Sequence, residues 1–190
     1  MNASRNSTPV SPAPPADRIP AGMTAIEAAT VEDVPALLDI YNASMTTANS
    51  NFDSRPATLD ERQQWFAQFA STGPHRLLVA RHGADVLGYA CSNRYRDHEA
   101  FRETVEVSIS VHSAGRGRRI GTLLYGALFE RLDGEDVHVA LAGIALPNRA
   151  SVALHRKFGF TEVGVFQEYA VVQGHYISSV WMQRLLNRAR

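Results

Sequence analysis

Residues Thr104–Val111 alternate strictly, with Val105, Val107, Ile109 and Val111 on one face and Thr104, Glu106, Ser108 and Ser110 on the other. That period marks a β-strand with two unlike faces. The basic, glycine-punctuated run Arg116-Gly117-Arg118-Arg119-Ile120-Gly121 follows, and from Ile120 the apolar residues Leu123, Leu124, Ala127 and Leu128 recur at helical spacing. A cationic loop therefore joins the strand to a helix N-terminus. The first helical turn has backbone N–H groups without intrahelical partners, and the helix dipole adds partial positive charge there. Such a junction is suited to a phosphate or diphosphate. It is not the dinucleotide fingerprint: Gly115, Gly117 and Gly121 are wrongly spaced, and no βαβ unit with a ribose-binding acid follows.

The rest of the chain frames that junction. Met1–Gly22 is rich in Ser, Pro and Ala without an apolar centre, which predicts a disordered tail rather than a secretory signal, with the folded domain spanning 23–188. A strand near Thr24–Ala28 leads to a capping box at Thr30 and Asp33, and Leu37, Leu38, Tyr41 and Met45 form one helical face. Thr46–Ala57 has turn composition. Thr58 then caps a second helix carrying Trp65, Phe66 and Phe69, stopped by Gly73-Pro74. A hairpin, Leu77–Ala80 with Val86–Cys91, precedes a polar stretch from Ser92 to Arg102 and the alternating strand. After the long helix come a strand Val137–Leu146, a helix Ala150–Phe158, and strands Glu162–Glu168 and Tyr176–Leu185. The order β-α-α-β-β-β-α-β-α-β-β predicts a mixed α/β domain with mostly antiparallel central strands.

Composition narrows the function. Nineteen basic residues balance nineteen acidic ones, which argues against a general nucleic-acid or membrane role. No apolar run is long enough to span a bilayer. The single cysteine, Cys91, excludes an internal disulfide and fits a reducing, cytoplasmic setting. The seven histidines lack metal-ligand spacing, so no metal is expected.

This element order, with a diphosphate loop after the fourth strand, resembles the GNAT acetyltransferase fold: a mixed, mostly antiparallel sheet of six to seven strands flanked by about four helices. Thr104-Val105-Glu106, the loop Arg116–Gly121, Leu146-Pro147-Asn148, and Ser151-Val152-Ala153-Leu154-His155 followed by Phe158-Gly159-Phe160 resemble the branch that acetylates phosphinothricin and methionine sulfoximine, as do Asn51-Phe52 and Pro56. The resemblance implies acetyl-CoA as co-substrate, a small amine acceptor and a homodimer. It implies contacts to the cofactor from Ile109, Val111, Arg116, Gly117, Arg118, Arg119, Ile120, Gly121, Thr122, Asn148 and Ser151. Three departures stand out. Arg119 replaces the loop's first glycine, which is tolerable if the backbone there stays helical. Tyr176-Ile177-Ser178-Ser179 stands where the branch carries Trp-His-Asp-Val. Arg96 and His98 replace a typical lysine and arginine.

The chemistry follows from the acceptor. A free alkyl amine is protonated at neutral pH, with a pKa near 10, and must lose a proton before it attacks a thioester. Glu106, centred in the polar stripe and placed where the branch carries its base, is the candidate; a solvated edge acid or an arginine partner is the alternative. Main-chain N–H groups near Val111 are candidates to hold the developing oxyanion. His155 stands where many GNAT proteins carry a thiolate-protonating tyrosine, one turn after Ser151; it reads equally as a packing residue. Asn148 reads as a helix N-cap or as a pantetheine contact. Tyr95, Arg96 and His98 face the expected substrate mouth, where an arginine would clamp a carboxylate or phosphinate. Peptide or protein N-acetylation and a non-catalytic acyl-CoA-binding module are the competing readings.

Overall fold

The computed structural model describes residues 24–45 and 52–186. The expected tail and part of the Thr46–Ala57 segment lie outside them. The elements are β1 (Ala25–Ala28), α1 (Val34–Met45), α2 (Leu59–Phe66), β2 (Leu77–His82), β3 (Asp85–Arg94), β4 (Thr104–Val111), α3 (Ile120–Leu132), β5 (Val139–Ala145), α4 (Arg149–Lys157), β6 (Thr161–Val172) and β7 (His175–Leu185). They build a seven-stranded sheet in the order β1-β2-β3-β4-β5-β7-β6. Every neighbouring pair is antiparallel except β4 with β5. The sequence-derived element order is the observed one.

Local chemistry sets the boundaries. The Thr30 amide donates to the Asp33 carboxylate at 2.9 Å, and Arg81 on β2 pairs with the same buried carboxylate at 2.6 Å, tying the start of α1 to the sheet. Thr58 caps α2 as expected, and it does so through reciprocal bonds with Glu61. α2, however, ends at Phe66, well before Gly73-Pro74. The chain turns there because the Ala70 amide donates to the His75 carbonyl, and Phe69 still packs on Trp65 from outside the helix. The hairpin strands run further than expected, because His82 and Asp85 themselves pair and leave a two-residue turn in which Gly83 takes φ +58°. β6 likewise continues beyond Glu168, passing through a bulge where that residue adopts φ +50°.

Two apolar layers sandwich the sheet. On one face α3 buries Leu124, Tyr125 and Leu128 against Val105, Val107, Ala142 and Met182. On the other, α1 places Leu37 and Ile40 over Val79, Tyr89 and Cys91. The strict alternation of β4 thus divides cleanly: its valines face α3, and Glu106, Ser108 and Ser110 share the α1 side. Arg62 of α2 lies within the second layer at 4% exposure, with its guanidinium 3.3 Å from the Trp65 ring centroid and 4.7 Å from that of Tyr41. Its Nε and one terminal nitrogen have no hydrogen-bond partner, so the charge is held by aromatic faces together with a hydrogen bond to Tyr89. Burial pushes the Cys91 thiol up, which makes it a packing group and not a nucleophile.

Candidate active site

β4 and β5 pair only from Thr104 to Glu106 and from Val139 to Leu141. Beyond that point the strands part, and their unpaired stretches, Val107–Val111 and Ala142–Ala145, line one cavity of about 1180 Å³. Glu106 sits where the split begins. Its carboxylate is half-buried, and no cation pairs with it among the described residues. Desolvation alone raises its pKa above the ordinary carboxylate range.

The loop before α3 closes one end of the cavity. Arg116, Gly117, Arg119, Ile120, Gly121 and Thr122 all line it, whereas Arg118 does not. α3 has no side-chain cap, so its first-turn amides keep their hydrogen-bonding capacity. Arg119, at the cap position, adopts φ 61°, ψ 14°. The expectation of a helical backbone there is thus corrected: the residue is left-handed, the conformation that glycine takes most cheaply. Gly121 serves packing, since a Cβ on it would lie 3.1 Å from Leu154 of α4. Lys157 adds a cation that sequence reasoning missed, its Nζ reaching Thr122 at 3.3 Å. An uncapped helix start with exposed arginines fits the diphosphate of coenzyme A.

α4 forms the next wall. Asn148 accepts from the Ser151 amide at 3.1 Å and also borders the cavity, so capping uses its Oδ1 and leaves its Nδ2 for a ligand. His155 borders the cavity too, but both its ring nitrogens are engaged. Nδ1 lies 2.8 Å from the Ser151 carbonyl, which only accepts; Nδ1 therefore carries the proton, and Nε2 accepts from the Tyr125 hydroxyl at 2.8 Å. Burial lowers the His155 pKa, keeping this imidazole neutral. Tyr125 gave no signal in the sequence beyond helical periodicity.

The third wall lies on the α1 side: Tyr41 and Ser44 from α1, then Phe52 and Asp53. Tyr95, Arg96 and His98 do not join it. Arg96 and His98 line a separate hollow of about 510 Å³ with His75, Arg94 and Arg102. Tyr95 packs on Phe101 and Trp181, 5.5 and 6.5 Å between centroids. The altered segment of β7 has local work: Ser178 Oγ donates to Gln167 at 3.2 Å and accepts from the Glu168 amide at 3.0 Å, spanning the β6 bulge. Trp181 lies over Gly143, whose added Cβ would come within 3.1 Å of the indole.

Among the described residues, no helix is long and apolar enough to cross a membrane, and no His, Cys, Asp and Glu side chains gather as a metal-holding group.

Comparison with known proteins agrees with this geometry. The model of the acetyltransferase (GNAT) family matches residues 34–160. A phosphinothricin N-acetyltransferase of Streptomyces coelicolor is 41% identical over 157 residues, covering 82% of this chain and 92% of the relative. An L-methionine sulfoximine/L-methionine sulfone acetyltransferase of Pseudomonas aeruginosa is 35% identical over 165 residues, covering 87% and 96%. The crystal structure of a GNAT superfamily phosphinothricin acetyltransferase from Sinorhizobium meliloti in complex with acetyl-CoA superposes with a TM-score of 0.81 at 26% identity, covering 87% of this chain and 89% of that one. The chain belongs to the GNAT acetyltransferase family and is an acetyl-CoA-dependent N-acetyltransferase.

Proposed function

We propose that the acceptor is the primary amine of a small amino-acid-like molecule of the phosphinothricin or methionine sulfoximine type, and that Glu106 is its general base. One observation carries this reading: an unpaired, half-buried carboxylate stands where β4 and β5 part, in the same cavity as the uncapped start of α3. The coenzyme's diphosphate rests on the Ile120–Thr122 amides, with Arg116 and Arg119 adding charge and Asn148 and Ser151 bordering the pantetheine arm. The thioester then lies between the parted strands, where β4 N–H groups beyond Glu106 face the negative charge developing on the carbonyl oxygen. Glu106, directly or through one water, takes the ammonium proton, and the neutral amine attacks in a ternary complex.

Of the two roles open to His155, its geometry supports positioning. A neutral ring whose one N–H already serves the Ser151 carbonyl is poorly placed to protonate the departing thiolate, and the Tyr125 hydroxyl behind it is pushed well up by burial. In this reading His155 bolts α4 to α3 and orients Ser151. Recognition of the acceptor's anionic end by Arg96 and His98 is not part of the proposal, because they open on a different hollow. A homodimer is supported by β6, an edge strand exposing Val163, Phe166, Tyr169 and Val171 along its length. The buried free thiol is consistent with a cytoplasmic protein.

A thiol-release screen over amino acids, phosphinothricin, methionine sulfoximine, polyamines and peptides tests the assignment. Turnover confined to compact amino-acid-like amines supports it. Turnover with peptides alone, or acetyl-CoA binding with no acceptor at all, overturns it. Sedimentation equilibrium tests the dimer.

A further inference from the structure

The cavity's α1-side wall has an anchor outside the site, in the side chain of Asn42. Its Nδ2 donates to the Ala57 carbonyl at 3.1 Å, and its Oδ1 accepts from the Ala57 amide at 2.9 Å. One carboxamide thus satisfies both polar groups of a residue fifteen positions away, in the manner of a β-bridge. Asn42 is half-buried and next to Tyr41, which lines the cavity. Ala57 closes the segment whose Phe52 and Asp53 also line it. Beyond Ala57 the chain is held by the Thr58 cap, where the amide donates to Glu61 at 2.8 Å, and just before Ala57 the Arg55 side chain reaches the same carboxylate. Between Phe52 and α2, the Asn42 pair ties this segment back to α1. Ahead of it, the Phe52 ring meets Tyr169 of β6 at 5.8 Å.

This wall belongs to the acceptor's half of the cavity. Glu106 shares its sheet face with Tyr89 and Cys91, the residues covered by α1, whereas α3 packs on the opposite face. We infer that Asn42 is a positioning residue for the acceptor amine: by fixing Ala57 to α1 it holds Phe52 and Asp53 against the molecule presented to Glu106. This rests on the acceptor-side reading above and extends it to a residue that touches no substrate. Removing the carboxamide leaves the Ala57 amide and carbonyl without their partner and frees the wall's far end, while the α3 and α4 contacts to coenzyme A are untouched.

The test uses the full chain, with Asn42→Ala and Asn42→Asp; the latter keeps an acceptor for the Ala57 amide but loses the donor to its carbonyl. The clamp predicts an amine KM raised about tenfold in Asn42→Ala, as for loss of a pair of hydrogen bonds, and by less in Asn42→Asp. Saturating kcat and the calorimetric acetyl-CoA affinity stay within about twofold of wild type in both. Amide hydrogen exchange over residues 52–57 rises in the same order and needs no acceptor. An unchanged amine KM, or equal weakening of amine and acetyl-CoA, overturns the inference; so does unchanged exchange over that segment. Failure of the wild-type chain to turn over any amine would instead count against the acceptor assignment, with the exchange measurement still deciding whether the clamp exists.

Discussion

Arg119 holds the left-handed cap position of α3 at φ 61°, on an exposed side chain. Left-handed backbone costs a non-glycine residue about 1–2 kcal/mol. Glycine escapes that cost but carries extra freedom in the unfolded chain, about 0.4–1 kcal/mol. Arg119→Gly and Arg119→Ala lose the same guanidinium, so their difference isolates the backbone. Arg119→Gly should be the more stable by about 0.5–1 kcal/mol, or roughly 2–4 °C per kcal/mol for a chain of this size. Urea unfolding of the two variants at equal salt measures it. Calorimetry on the same samples separates strain from charge: both variants should bind acetyl-CoA more weakly than wild type, by similar factors and with a shallower salt dependence, because each has lost one cation beside the diphosphate. Should Arg119→Ala prove as stable as Arg119→Gly, the left-handed cap is not strained and the reasoning fails.

Other consequences are more local. A Cβ on Gly88 would lie 2.7 Å from the Ser110 carbonyl and 3.1 Å from the Val111 Cα; Gly88→Ala should therefore cost about 2 kcal/mol or more and, by displacing β4, weaken acetyl-CoA binding in calorimetry. Arg62→Lys swaps a plane stacked on Trp65 for a strongly hydrated ammonium in an apolar layer; thermal denaturation should register a loss of about 1–2 kcal/mol, and an unchanged midpoint would show that stacking contributes nothing. His155 has a folded pKa below its ordinary 6.5 through burial, so its contribution is complete above that pH and fades as pH falls below it. His155→Gln should flatten the acid limb of a stability–pH profile, and retention of substantial kcat at neutral pH would agree with a positioning role, whereas a loss of two orders of magnitude would restore it as the proton donor.

Much of this architecture is legible in residue order because local chemistry and tertiary packing agree. The alternation of Thr104–Val111 separates a buried face from a functional one, and the same split is present in the sheet. The loop that closes one end of the cavity was readable for the same reason: Arg116–Gly121 is contiguous, and a helix start is a local event. What escaped depended on pairing between distant segments. The parting of β4 from β5 leaves no trace in either strand, yet it makes the cavity. Nothing in the order of residues marks Tyr125, a fully buried residue of α3, as the partner that α4 brings to His155. Arg96 and His98 sit close to Glu106 in sequence, but the strand and turn between them carry them to another hollow. Arg119 shows the limit from the other side: spacing locates a cap but gives no backbone sign.

The role assigned to Glu106 is open to one decisive measurement, the pH profile of amine-dependent thiol release for wild type and Glu106→Gln. The wild-type carboxyl is raised by desolvation, so the acid limb of kcat/KM should climb through a pKa above the usual carboxylate range as the base ionises. In Glu106→Gln that limb should vanish and kcat fall by about two orders of magnitude, with acetyl-CoA affinity unchanged. A variant that turns over like wild type, with the same acid limb, would contradict the account.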